Sequence, residues 1–149
     1  MRIDSPQRAC SQRGFTLIEI MVVVVILGIL ATLVVPRILE RTADARIAKA
    51  KQDLSALEAA LKMYKLDNYF YPATDQGLEA LTSKPAGQPE PRQWRQGGYV
   101  ERLPHDPWGS PYVYLQPGQH GDFDVYTLGA DGVAGGEGES ADFGNWQLR

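Results

Sequence analysis

One stretch decides the fold of this chain: Gly14-Phe15-Thr16-Leu17-Ile18-Glu19, followed at once by the apolar residues 20–35. From residue 15 to residue 35 only two threonines and one carboxylate interrupt the apolar run. An α-helix needs about 20 predominantly apolar residues to cross the hydrocarbon core of a bilayer. The sequence therefore predicts that residues 15–35 form a membrane-spanning helix.

Glu19 is the unusual residue of this run. A carboxylate at membrane depth costs about 2.5–3.5 kcal/mol on insertion scales, so it needs a partner. Residues 15–35 contain no lysine or arginine that could provide one. If the chain were cut between Gly14 and Phe15, a new α-amino group would lie one helical turn from Glu19. That amine could neutralise Glu19 of the same copy or of a neighbouring copy.

Composition limits the remaining possibilities. The 149 residues carry a net charge of −3 and one cysteine, Cys10, which precedes the apolar run. Residues 1–14 hold three arginines and one aspartate, so the rest of the chain has a net charge of −5. A mildly acidic chain without a lysine or arginine cluster argues against nucleic-acid binding. Beyond residue 14 the chain has no cysteine and cannot form a disulfide.

Helical periodicity continues beyond Pro36, because apolar residues recur at helical spacing as far as residue 64. These residues are Ile47, Ala50, Leu54, Leu57, Leu61 and Tyr64. We predict one long helix from about Phe15 to Leu66, and then a short helix over residues 76–81 capped by Thr74 or Asp75. The proline- and glycine-rich residues 84–98 are predicted to form an ordered loop, which Trp94 and Tyr99 attach to the core.

Two strands are predicted near the C-terminus. Residues 112–115 are aromatic and β-branched, and residues 123–128 alternate apolar and polar side chains. The glycine-containing segment 117–121 predicts a hairpin between them, and hence an antiparallel sheet packed on the long helix. Trp108 is expected to be a buried anchor, and His105 and His120 to be solvated loop residues. The predicted fold class is α+β.

An acidic, glycine-rich loop follows the second strand. Residues 103–148 contain no lysine or arginine, and residues 129–142 hold Asp131, Glu137, Glu139 and Asp142. A hard divalent ion that takes six to eight oxygen ligands would neutralise these carboxylates. The spacing is not that of an EF-hand. A disordered acidic loop is the alternative interpretation.

The N-terminal stretch, behind a short basic leader, resembles the class III signal of type IV pilins and of type II secretion pseudopilins. Residues 63–68, 74–81, 106–109, 128–132 and 144–146 are similar to the major pseudopilins of type II secretion. The resemblance implies that a prepilin peptidase cuts after Gly14 and that Phe15 is then N-methylated. It also implies that Phe15 and Glu19 set the register between subunits.

The resemblance further implies an organisation and a function. Residues 1–14 would be a cleaved leader, 15–35 the membrane-spanning half of the long helix, and 36–149 a periplasmic domain with a calcium-binding loop. The protein would cross the inner membrane once and polymerise into a helical filament that drives protein export. Its partners would be other copies, minor pseudopilins, the inner-membrane assembly platform with its ATPase, the outer-membrane secretin and inner-membrane lipid.

For Ca²⁺, the resemblance implies the carbonyls of Leu128 and Val133 and the carboxylates of Asp131, Glu139 and Asp142, with Glu137 as an alternative to Glu139. Two other functions stay open. A type IV pilin is one, although many such pilins close their C-terminal region with a disulfide. A membrane-anchored periplasmic enzyme or calcium-binding module is the other. The sequence contains no catalytic Ser-His-Asp or Cys-His set, and we expect no enzymatic activity.

Overall fold

One long helix, α1, runs through Leu17–Asn68. A computed structural model describes residues 15–148, with the backbone alone for residues 32–40. The chain divides into two compact units, Met1–Leu39 and Glu40–Arg149. Over the described residues, no helix combines the length and apolar character that a membrane crossing requires. The predicted cleavage residue Gly14 lies outside the described residues.

The second half of α1 forms one wall of the core of residues 40–149. Five residues on one face of it are at most 4% exposed, namely Ala50, Leu54, Leu57, Leu61 and Tyr64. Each fully buried leucine contributes about 1.5–3 kcal/mol relative to an exposed one. The predicted apolar face is therefore confirmed, and it positions everything that follows α1.

The segment after α1 differs from its prediction in the start of its short helix and in how that helix is capped. Only Leu78–Leu81 is helical, as a 3-10 turn, and it has no side-chain cap. Gly77 precedes it with φ of 62°, a conformation that cannot continue from a preceding helical turn. Thr74 was predicted as a possible cap, but its hydroxyl donates a 2.9 Å hydrogen bond to the carbonyl of Gln116. The predicted cap at Thr74 or Asp75 is wrong, because the helical turn begins only at Leu78, after Gly77, and the Thr74 hydroxyl is bonded elsewhere.

The loop over residues 84–98 is attached as predicted. Trp94 Nε1 donates a 2.9 Å hydrogen bond to the carbonyl of Ala80. The Tyr99 ring packs 5.2 Å from the ring of Tyr64, between centroids. Asn68, 2% exposed at the end of α1, accepts a 3.0 Å bond from the Gln93 amide.

Three short antiparallel strands complete the fold in the order β1-β2-β3. They are β1 (Val113–Leu115), β2 (Asp124–Thr127) and β3 (Phe143–Gly144). Tyr126 pairs with Val113 on one side and with Gly144 on the other. Buried side chains from β1 and β2 join the α1 leucines in one core. The α+β class and the predicted hairpin are confirmed, and β3 is an addition.

A buried carboxylate ties the turn before β1 to the sheet. Asp106 is 4% exposed and accepts hydrogen bonds from the amides of Trp108 (3.1 Å) and Ser110 (2.7 Å) and from the Thr127 hydroxyl. Satisfying a buried carboxylate with three donors replaces the water it lost on folding. Asp106 thus sets the position of Trp108, which is half-buried and stacks on Phe143 at 6.1 Å between centroids.

Candidate functional site

The two predicted assembly residues, Phe15 and Glu19, lie at the N-terminal end of α1. The amide of Glu19 donates to the carbonyl (3.1 Å) and to the hydroxyl (3.3 Å) of Thr16, so Thr16 caps the first turn. A carboxylate in the first turn is favoured by the positive end of the helix dipole. Both Glu19 and Phe15 are exposed, Phe15 to 79%.

The apolar surface that follows is uncovered by the described chain. Every large apolar side chain from Phe15 to Leu30 is between 47% and 79% exposed. Surfaces of this extent mark contacts with other proteins or with lipid. Within the described residues, no lysine, arginine or histidine pairs with Glu19.

The two ends of the acidic loop that follows β2 are bonded to each other, and we call this contact the neck of the loop. The amide of Ala130 donates a 2.9 Å bond to the carbonyl of Glu139, which joins the two ends of the loop. Gly129 lies inside this neck with φ of 69°, and a Cβ there would stand 2.6 Å from the same carbonyl. Only glycine combines this conformation with this approach. Residues 130–138 are all exposed beyond the neck.

Two predicted ligands hold the backbone of this loop. Asp131 Oδ1 accepts a 3.0 Å bond from the amide of Val133, and Asp142 Oδ2 accepts a 2.9 Å bond from the amide of Gly135. The second oxygen of Asp142, Oδ1, is buried and has no hydrogen-bond partner. Leaving a buried polar atom unpaired is unfavourable, by about 1–3 kcal/mol and more for a charged group. A hard cation is the natural partner for such an oxygen.

Glu139 is already engaged by the rest of the chain. Its Oε1 accepts a 3.1 Å bond from Arg46 on α1 and a 3.3 Å bond from Trp108 Nε1. The Arg46 guanidinium lowers the pKa of the Glu139 carboxyl, and the Trp108 indole acts in the same direction. Glu137, by contrast, is exposed and lies just before the 3-10 turn Gly138–Ser140. Sequence reasoning missed Arg46 and Trp108, because nothing local links them to residue 139.

The remaining predicted ligands are divided between a cavity and the surface. Leu128 and Asp142 line a cavity of about 200 Å³, whereas the Val133 side chain is 64% exposed. Among the described residues, no three histidine, cysteine, aspartate or glutamate side chains lie close enough to hold a metal ion. The groups near this cavity and loop are mainly oxygen donors, which suits Ca²⁺ rather than a softer metal.

His120 is an exposed loop residue, as predicted, and it also makes contacts that the prediction did not include. Its ring stacks on Trp146 with 3.9 Å between centroids. Its Nδ1 lies 3.0 Å from Asp124 Oδ2, and Asp124 is 2% exposed. The same carboxylate accepts the amides of Gln119 and His120, so it orders the β1–β2 turn. The four-residue spacing from His120 to Asp124 was the only local signal.

Comparison with known proteins identifies the family. The family description "Prokaryotic N-terminal methylation motif" matches residues 10–35, and "Type II secretion system (T2SS), protein G" matches residues 37–146. The type II secretion system core protein G of Pseudomonas aeruginosa is 62% identical over 135 residues, which cover 91% of this chain and 95% of that protein. Its namesake from Vibrio cholerae serotype O1 is 62% identical over 138 residues, or 93% and 94% of the two chains.

A solved structure agrees. The crystal structure of the major pseudopilin from the type 2 secretion system of enterohaemorrhagic Escherichia coli superposes with a TM-score of 0.67 at 52% identity. The match covers 77% of this chain and 98% of that one.

A long helix that carries a methylation motif and is followed by a small α+β unit defines a pilin-like subunit. The chain belongs to the type II secretion system protein G family. The match over residues 37–146 favours a pseudopilin over a type IV pilin, and these relatives are named as parts of a secretion system, not as enzymes.

Proposed function

We propose that this chain is the major pseudopilin of a type II secretion system and that it polymerises into a periplasmic filament which drives protein export. The observation that carries the proposal is the apolar surface from Phe15 to Leu30, at least 47% exposed at every large side chain. Lipid would cover this surface before assembly and neighbouring copies after it. The family match over residues 37–146 supports the same conclusion.

Residues 15–35 would anchor the subunit in the inner membrane, with the unit after them in the periplasm. A prepilin peptidase would cut between Gly14 and Phe15 and methylate Phe15, as the methylation motif over residues 10–35 suggests. Assembly would require minor pseudopilins, an inner-membrane platform with its ATPase, and an outer-membrane secretin.

Glu19 would set the step between subunits. An unpaired carboxylate among apolar side chains costs about 2.5–3.5 kcal/mol at membrane depth. The α-amino group of Phe15 on a neighbouring copy would remove this cost, and only at one axial stagger. The charge pair would therefore select one register from the many that an apolar surface alone permits.

Intact mass and assembly test this proposal together. The membrane-extracted protein should lack residues 1–14 and carry one additional methyl group. Glu19→Gln should abolish filaments and secretion while the protein remains in the membrane, and the matched change Asp44→Asn, at an exposed α1 position, should preserve both. An uncut N-terminus, or normal filaments from Glu19→Gln, would refute the proposal.

The C-terminal loop would bind Ca²⁺. The carboxylates of Asp131 and Asp142 and the carbonyls of Leu128 and Val133 would be ligands, and the unpaired Oδ1 of Asp142 supports this choice. When bound, the ion would supply the positive charge that residues 103–148 lack. Ca²⁺ binding to the folded loop would stabilise the subunit by mass action.

Calcium titration of the detergent-solubilised chain tests the site and separates the two glutamates. Asp131→Asn should weaken binding at least tenfold. Glu137→Gln should weaken it more than Glu139→Gln, because Arg46 and Trp108 already bind the Glu139 carboxylate. Calorimetry would measure these affinities. A wild-type chain that shows no saturable calcium binding would contradict the proposal.

A further inference from the structure

Glu139 contacts three other parts of the chain at the point where the acidic loop closes. Its carbonyl accepts the amide of Ala130, which forms the neck of the loop. Its Oε1 accepts a 3.1 Å bond from Arg46, in the second half of α1, and a 3.3 Å bond from Trp108 Nε1. The residue that closes the neck is therefore attached both to the long helix and to the turn before β1.

Trp108 is itself held by the rest of the fold. Its amide donates a 3.1 Å bond to Oδ1 of the buried Asp106. Its ring stacks on Phe143, with 6.1 Å between centroids and an interplanar angle of 11°. Phe143 directly follows Asp142, the proposed calcium ligand with an unpaired oxygen. Trp108 thus contacts the chain immediately before and immediately after residues 140–142.

These contacts order the loop without occupying the groups proposed to bind Ca²⁺. Arg46 bonds to Glu139, and Trp108 contacts Glu139 and Phe143, neither of which is among the four ligands proposed above. Ordering a flexible segment costs conformational entropy. Contacts that order it in advance remove that cost from the binding step. Arg46 and Trp108 can therefore favour calcium binding although neither touches the ion.

We infer that Arg46 and Trp108 are positioning residues of the calcium site, which act through Glu139 to hold the neck of the loop in the arrangement that binds Ca²⁺. The inference rests on the calcium binding proposed for this loop. It adds that calcium binding is coupled to the segment of α1 around Arg46. Because such coupling is reciprocal, the ion must in turn stabilise the contact between α1 and the neck.

Charge and positioning predict opposite effects for Arg46. If the guanidinium acted only through its charge, it would repel a divalent cation, and Arg46→Gln would tighten calcium binding. If it positions the neck, the same change should weaken binding. The expected loss is about threefold, a modest effect because the Arg46 and Glu139 side chains are 51% and 30% exposed. The direction of the change therefore separates the two explanations.

Calorimetric calcium titration of the full chain in detergent tests the inference. Arg46→Gln should weaken binding, and Arg46→Lys should weaken it less, because lysine preserves a charged donor. Trp108→Phe should weaken it about twofold, since it preserves an aromatic ring against Phe143 and removes the N–H donor. In a Glu139→Ala background, Arg46→Gln should cause no further loss, because both changes remove the same contact. Lys51→Gln, which removes a cation from another exposed position of α1, is the matched control and should not weaken binding.

Amide hydrogen exchange gives the reciprocal measurement. At saturating calcium, exchange over residues 43–50 of α1 should slow in the wild type and should not slow in Glu139→Ala. Residues 57–64, which belong to the buried half of α1, should be protected by calcium in both proteins. A role of Glu139 in overall stability alone would change both segments together.

Two results would overturn the inference and leave the calcium site intact. One is an Arg46→Gln chain that binds calcium as tightly as the wild type, or more tightly. The other is a Glu139→Ala chain in which calcium still protects residues 43–50. If Arg46→Gln does not fold, Arg46→Lys and Trp108→Phe provide the same test, and wild-type affinity in both would overturn the inference. A wild-type chain without saturable calcium binding would refute the calcium site and this inference with it.

Discussion

Asparagine at position 142 should affect the calcium-free and the calcium-bound protein in different ways. In the structure, Asp142 Oδ2 accepts the amide of Gly135, and Oδ1 is buried without a partner. Asparagine preserves an acceptor for the Gly135 amide. It also removes the negative charge that the carboxylate spreads over both of its oxygens, including the unpaired Oδ1. Without calcium, Asp142→Asn should therefore leave the free energy of unfolding within about 1 kcal/mol of the wild type, or raise it.

With calcium the same change should be destabilising relative to the wild type. A ligand present at about 100 times its dissociation constant stabilises the folded state by about 2.7 kcal/mol. The entropy of unfolding, about 2.1 cal/mol/K per residue, makes 1 kcal/mol worth about 4 °C in Tm for a unit the size of residues 40–149. The wild type should thus gain about 12 °C with calcium, and Asp142→Asn should lose most of this gain.

Thermal unfolding of the full chain in detergent, followed by tryptophan fluorescence, measures both effects. Each protein is melted with a chelator and with calcium, and Asp75→Asn serves as the control because Asp75 is exposed and outside the loop. The control should show the full calcium shift. The reasoning fails if Asp142→Asn preserves that shift, or if it destabilises the chelated protein by 2 kcal/mol or more.

Three further predictions concern the core. Tyr64→Phe should raise the free energy of unfolding by about 1 kcal/mol in chemical denaturation, because the buried Tyr64 hydroxyl has no partner. Tyr114→Phe should lower it by about 1 kcal/mol, because it removes the 2.8 Å bond to the Pro72 carbonyl. Changes of the same sign in the two variants would contradict this prediction. Asp106→Ala should lower the free energy of unfolding by about 3 kcal/mol, because three donors lose a buried acceptor. A urea midpoint equal to that of the wild type would refute this structural role of Asp106. Burial raises the pKa of Tyr64 to about 12. Because the unfolded chain ionises first, stability should fall as pH rises from about 10 towards 12. Burial also raises the pKa values of Tyr99, Tyr112 and Tyr114, so Tyr64→Phe should reduce this fall in pH-dependent melts without removing it.

Local patterns were sufficient where one face of a regular element packs on the core. The spacing of the α1 leucines predicted the buried face correctly, because a helix turns its residues by a constant angle and every third or fourth one meets the same neighbours. The hairpin of β1 and β2 was equally local, since its strands are consecutive and only residues 116–123 join them. The acidic, glycine-rich composition of residues 129–142 likewise identified the candidate loop before its shape was known.

Tertiary contacts decided what these patterns could not. β3 contains only two residues, too few for a periodic signal, and it is a strand because β2 offers it an edge. Thr74 binds Gln116 instead of capping a helix, because a partner 42 residues away competes for its hydroxyl. Arg46 and Glu139 lie 93 residues apart and meet only when the fold brings α1 beside the loop. The sequence therefore determined the helix, the hairpin and the chemistry of the loop. The structure alone decided which charged groups are already paired, because pairing depends on distances in space that sequence separation does not encode.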